Sequence, residues 1–102
     1  MLAEFSVIPI GEGVSISPYV AKTAKIIDES GLDYKINPMA TVVEGGMDEI
    51  LALIKKCHSA VMEDASRVMI TVVIDDRKDK GPSRMDSKVT SVEEKVGKAL
   101  KK

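Results

Sequence analysis

Residues 67–75 read Arg67-Val68-Met69-Ile70-Thr71-Val72-Val73-Ile74-Asp75, a β-branched, apolar run with the pattern of a long strand. Val68, Ile70, Val72 and Ile74 share one face and Met69, Thr71 and Val73 the other, so the strand is buried on at least one side. Upstream, Asp48 is placed to cap a helix in which Ile50, Ile54, Cys57, His58, Val61 and Ala65 fall at helical spacing. Before that helix, Tyr34–Ile36 and Ala40–Glu44 are extended pieces parted by Asn37–Pro38, a hairpin ended by Gly45–Gly46. Ser17–Pro18 offers an N-cap and a first-turn proline to an earlier helix, with Val20 or Ala21, Ala24, Ile26 and Ile27 inward and Gly31 as its left-handed terminator. Leu2–Ile8 alternates, with Ala3, Phe5 and Val7 on one side and Glu4 and Ser6 on the other, and stops at Pro9. Beyond Asp75 a charged connector runs to Pro82, after which Met85, Val89, Val92, Val96 and Ala99 repeat through a last helix. The order β-α-β-β-α-β, then α, defines an α+β, ferredoxin-like βαββαβ subunit with a four-stranded antiparallel sheet and an added C-terminal helix. It is expected as a single domain over residues 1–102.

Fifteen Lys+Arg stand against 16 Asp+Glu, a net charge of −1, which lacks the basic excess of a nucleic-acid binder. Cys57 is the only cysteine and His58 the only histidine, so there is no disulfide framework and no Cys₄ or Cys₂His₂ zinc set. No metal or cofactor is expected. The apolar run Phe5–Ile10 is broken by Ser6 and Pro9 and is far short of the about 20 residues of a membrane span; neither signal peptide nor membrane partner is expected, and the reducing cytoplasm is the expected compartment. The three aromatics, Phe5, Tyr19 and Tyr34, leave an aliphatic core small enough to favour oligomerisation.

In this fold two helices cover one sheet face and leave the other open. With Phe5, Val7, Val68, Ile70 and Val72 toward the helices, the open face receives Glu4, Ser6, Ile8, Thr71, Val73 and either Thr41 or Val42. That mixture is too apolar for bare solvent, and a second copy's sheet laid over it encloses polar groups in a cavity. Glu4 stands out, because a carboxylate on a central strand needs a partner once covered: either a cationic ligand or a salt bridge across the interface. Ser6 lies beside it. Glu44 at a strand end is a second candidate, or else solvated. Ser15, Ser17 and Tyr19 precede or open the first helix, where N–H and hydroxyl groups meet polar ligands; the plainer reading of Ser17 is an N-cap. Tyr19 and Tyr34 offer flat faces for a planar ring or are half-buried structural tyrosines, and Thr41 is a ligand hydroxyl or an ordinary strand residue. His58 sits on the apolar stripe of its helix and reads as a buried structural histidine. Asp75–Asp76–Arg77 reads as a divalent-ion or polar-ligand clamp, or as a solvated turn in which Asp75 pairs with Arg77.

Several of these segments together resemble one family. Glu4–Phe5–Ser6–Val7–Ile8–Pro9–Ile10–Gly11, Ser17–Pro18–Tyr19–Val20–Ala21, Gly31–Leu32–Asp33–Tyr34, Asn37–Pro38–Met39–Ala40–Thr41–Val42–Val43–Glu44–Gly45, His58, and Arg67–Val68 leading into Ile74–Asp75–Asp76–Arg77 are similar in order and spacing to the YkoF-like thiamine-binding family. Where that family reads Pro-Met-Gly-Thr, this chain has Pro38–Met39–Ala40–Thr41. The resemblance implies assembly through paired sheets into dimers and a tetramer of dimers. It also implies non-catalytic binding of thiamine or a hydroxymethylpyrimidine-type small molecule, with Glu4, Ser6, Ser17, Tyr19, Tyr34, Thr41 and Glu44 as the candidate ligand-binding residues. The alternative is an oligomeric regulatory or structural module without such a ligand. An enzyme is not expected, since no nucleophile elbow, Gly-rich phosphate loop or metal spacing is present.

Overall fold

A computed structural model describes residues 1–81 and 84–102; Pro82, the end of the expected connector, lies outside the described residues. The elements run β1 (Leu2–Pro9), α1 (Ser17–Glu29), β2 (Asp33–Ile36), β3 (Thr41–Glu44), α2 (Met47–Met62), β4 (Val68–Asp75) and α3 (Arg84–Val96). The four strands form one antiparallel sheet in the order β2-β3-β1-β4, the ferredoxin-like arrangement with α3 added.

The period-2 pattern of β1 works out as read: Ala3, Phe5, Val7 and Pro9 are buried and Glu4 and Ile8 exposed. With Ile27, Val43 and the inner face of α2 they form an aliphatic core around one aromatic, Phe5. Gly31 takes φ +79 directly after the α1 C-cap Ser30, a conformation open to glycine at no steric cost. Buried Thr23 sits among the apolar residues of α1 because its hydroxyl donates to the Val20 carbonyl at 3.0 Å.

Four local expectations fail, each for a physical reason. Ser17 does not cap α1: the N-cap is Ile16, with no side-chain cap bond, and Ser17 Oγ lies 3.2 Å from Ser15 Oγ instead. Asp48 lies inside the first turn of α2, whose N-cap is Gly46; the Glu49 carboxylate accepts the Gly46 N–H at 3.0 Å, half of a capping box. His58 is exposed rather than buried. The buried side of α2 runs Ile50, Leu53, Ile54, Cys57, Ala60 and Val61, and the two i+4 steps from Ile50 to His58 turn it about 80° around the axis, past the stripe's edge. Asp75 pairs not with Arg77 but with Arg84 and Lys88, while Arg77 pairs with Asp79.

The register places Val42, not Thr41, on the open face: Glu4 stands between Val42 and Val73, and Thr41 opposes Phe5. One end of this face is not open. There α3 docks by its N-terminus, and the Glu44 carboxylate accepts the Arg84 and Met85 N–H groups at 2.9 Å each. Buried Arg84 donates to the Asp75 carbonyl at 2.9 Å and to its carboxylate at 2.6 Å; Lys88 reaches the same carboxylate at 3.0 Å, and Lys35 reaches Asp86 at 2.6 Å. The rest of α3 stands clear, with Val92 50% and Val96 53% exposed.

Candidate functional site

Strand β3 is four residues long and β1 is eight. Pairing between them begins at Leu2↔Glu44 and ends at Phe5↔Thr41, whereas β4 accompanies β1 to Pro9. Pro38, lacking an N–H, keeps the chain out of the ladder just before β3, and the turn closes by the Asn37 N–H to the Ala40 carbonyl at 3.0 Å. The second half of β1 therefore has an open edge toward β3.

Two bonds fix which backbone groups face that gap. Gly45 N–H donates to the Met1 carbonyl at 3.0 Å on the β3 side, and Ile10 N–H donates to the Arg67 carbonyl at 2.8 Å on the β4 side. Since successive residues of a strand direct their polar groups to opposite sides, odd-numbered residues of β1 face β3. Val7 thus presents its N–H and C=O together at a position where β3 has ended. The residue that would oppose it, Met39, is in the turn and 90% exposed.

A cleft fills the gap, lined by Ser6, Val7, Ile8, the Asn37–Thr41 turn and, from α1 and its approach, Ile16, Val20, Thr23 and Ile27. Its volume is about 120 Å³, below the roughly 300 Å³ lower end of small-ligand pockets. Apolar walls flank a backbone donor–acceptor pair and the side chains of Ser6 and Thr41. A planar heterocycle with a ring nitrogen beside an exocyclic amine matches such a pair, the nitrogen accepting and the amine donating.

Of the seven sequence candidates the structure brings two, Ser6 and Thr41, into this cleft. Glu4 lies two residues along β1 from Ser6, exposed at mid-sheet. Ser17 is exposed and paired with Ser15. Tyr19 packs against the core, and burial together with the nearby Glu12 carboxylate raises its phenol pKa. Tyr34 donates from its hydroxyl to Asp28 at 2.6 Å, the main cause of its own raised pKa, with burial second. Glu44 is committed to the start of α3. Asp75–Asp76–Arg77 forms no clamp, and among the described residues no three His, Cys, Asp or Glu side chains converge on a metal position. The Val7 main chain and the α1 wall were missed by residue-type reasoning; Pro38 before a short strand was the available signal.

The fold and the cleft define a small ferredoxin-like α+β protein with a narrow gap beside its central strand. Residues 3–93 match the sequence model of the thiamine-binding protein family, and the chain belongs to that family. A UPF0045 protein from Methanocaldococcus jannaschii is 45% identical over 80 residues, covering 78% of this chain and 80% of the relative. The Bacillus subtilis UPF0045 protein YqgV is 37% identical over 97 residues, 89% of this chain and 92% of its own. The crystal structure of a Methanocaldococcus jannaschii protein superposes with TM-score 0.84 at 41% identity, covering 91% and 95% of the two chains. A Thermotoga maritima chain described as a candidate thiamine biosynthesis/salvage protein superposes with TM-score 0.77 at 22% identity, over 89% of this chain and 96% of that one, a likeness of fold alone.

Proposed function

We propose that this protein binds, without transforming it, thiamine or a hydroxymethylpyrimidine-type molecule in the cleft beside β1, within a homo-oligomer built as a tetramer of two sheet-paired dimers. The observation that carries this reading is that the β1–β3 ladder ends at Phe5↔Thr41, so that among the described residues no strand partner opposes the Val7 N–H and C=O in a family member's central strand. They suit an aminopyrimidine edge, Thr41 and Ser6 add hydroxyls, and Ile16 and Val20 offer the ring an apolar wall on the α1 side. The small volume of the cleft supports a site completed by a second subunit over the open face. Glu4, on that face beside Ser6, is the anionic group within reach of a cationic ring.

Calorimetric titration with thiamine and with hydroxymethylpyrimidine tests this. Thr41→Val keeps shape and removes one hydroxyl, and about a tenfold loss of affinity for both ligands is expected. Glu4→Gln removes the charge, and thiamine should weaken by about tenfold to a hundredfold, hydroxymethylpyrimidine less, since only thiamine carries a fixed positive charge. Wild-type affinity in both variants overturns the site. A weakened oligomer with unchanged thiamine affinity in Glu4→Gln returns that residue to a purely assembling role.

A further inference from the structure

At the end of the sheet remote from the cleft, Arg77 and Lys80 after β4 and the first two turns of α3 line an open cavity of about 270 Å³. Its lining is Arg77, Lys80, Arg84, Ser87, Lys88 and Ser91, and no acidic side chain is among these described residues. Positions 84, 87, 88 and 91 are spaced i, i+3, i+4, i+7, so they form one polar stripe of α3, separate from the apolar stripe through Met85, Val89, Val92 and Val96. The Arg84 side chain is only 5% exposed and held rigid by Asp75. Four cations face two carboxylates outside the lining, Asp75 on Arg84 and Lys88 and Asp79 on Arg77. Two positive charges are left over, together with two hydroxyl donors. The N–H groups of Arg84 and Met85 are already taken by Glu44, so side chains, not the helix terminus, would hold a ligand here.

We propose that this cavity is a phosphoryl-group site, which takes the phosphate or pyrophosphate end of a phosphorylated small molecule. A surplus of two positive charges with serine hydroxyls and a guanidinium matches the charge and the acceptor oxygens of such a group. Ser6, Thr41 and Val7 take no part in it.

The test titrates inorganic pyrophosphate into wild-type protein and into Arg77→Gln/Lys80→Gln, with potassium chloride of matched ionic strength as the blank. Both side chains are exposed, and neither holds an element in place, so the variant is expected to melt with the wild type. Saturable pyrophosphate binding that weakens at least tenfold in the variant is the expected result. Ser91→Ala, which changes no charge, should weaken it by a smaller factor, which separates a formed site from general attraction to positive charge. Binding no stronger than the chloride blank, or equal in wild type and the double variant, overturns the proposal. In a second arm adenosine 5′-diphosphate replaces pyrophosphate. Binding of comparable strength supports a phosphorylated small molecule as the occupant, and binding of the free ion alone overturns that assignment.

Discussion

Two backbone N–H groups at the start of α3 point at a carboxylate 40 and 41 residues earlier, and Glu44→Ala leaves both without that acceptor. The expected loss is about 2 kcal/mol, within the range for unsatisfied buried groups, read as a shift of the urea midpoint. Glu44→Gln, which keeps one oxygen, should recover part of it. His58→Ala, by contrast, removes an exposed side chain and should stay within about 0.5 kcal/mol of wild type, whereas Ile50→Ala at a fully buried position should cost about 2–5 kcal/mol. Burial pushes the Cys57 thiol up to about 11; alkylation at neutral pH should therefore be slow in the native protein and fast once it unfolds. Residue type announced Glu4 and Thr41 as worth attention, because polar groups on a central strand are conspicuous. It did not announce Glu44 as a helix cap, since that role depends on a partner the fold brings from far along the chain. Nor did it place His58, whose exposure turns on the angle accumulated over two helical steps.

At the scale of elements, α3 is held to the sheet by charge as much as by contact. The hydrogen bond from Arg84, and next that from Lys88, draw the Asp75 carboxyl below its ordinary value of 3.8. A carboxyl with a lowered folded value stabilises the fold fully above its unfolded value and loses that contribution as pH falls through the folded one. Amide exchange should accordingly show α3 protected at neutral pH and released below about pH 3.8, a step that Asp75→Asn should flatten while starting from weaker protection. Strand β1, the extent of β4 and the glycine stop of α1 were legible, since alternation and a left-handed terminator are local; the expected buried side of β4 was not, because at the sheet edge Val68 and Ile70 are only half-buried and Val72 and Ile74 are exposed. The docking of α3 was not, because its apolar stripe gave the helix without saying which end would touch the sheet. The gap beside β1 was half-legible: Pro38 marks where β3 must start late, but only the register shows that Val7 is the residue left uncovered.

The whole molecule is longer than its size requires. Its radius of gyration is 15.1 Å, with extents of 46 × 29 × 20 Å, against about 13 Å for a compact chain of about 100 residues. The excess comes from α3 standing off the sheet with Val92 and Val96 bare, next to a face on which Val73 is 57% exposed. Light scattering at micromolar concentration should give four times the 11.0 kDa chain mass; a monomer there would remove the reason for completing the cleft with a second subunit. β4 is an edge strand of eight residues, and from Val68 to Ile74 it carries neither charge nor proline, two of the devices that keep such edges from templating cross-β growth. If assembly is what shields it, the usual laboratory remedy for turbidity works against that shield. Dilution raises the fraction of separate chains with their adhesive rims bare, though never their concentration, so a growing share of the protein stands open to fibril seeding as a stock is thinned.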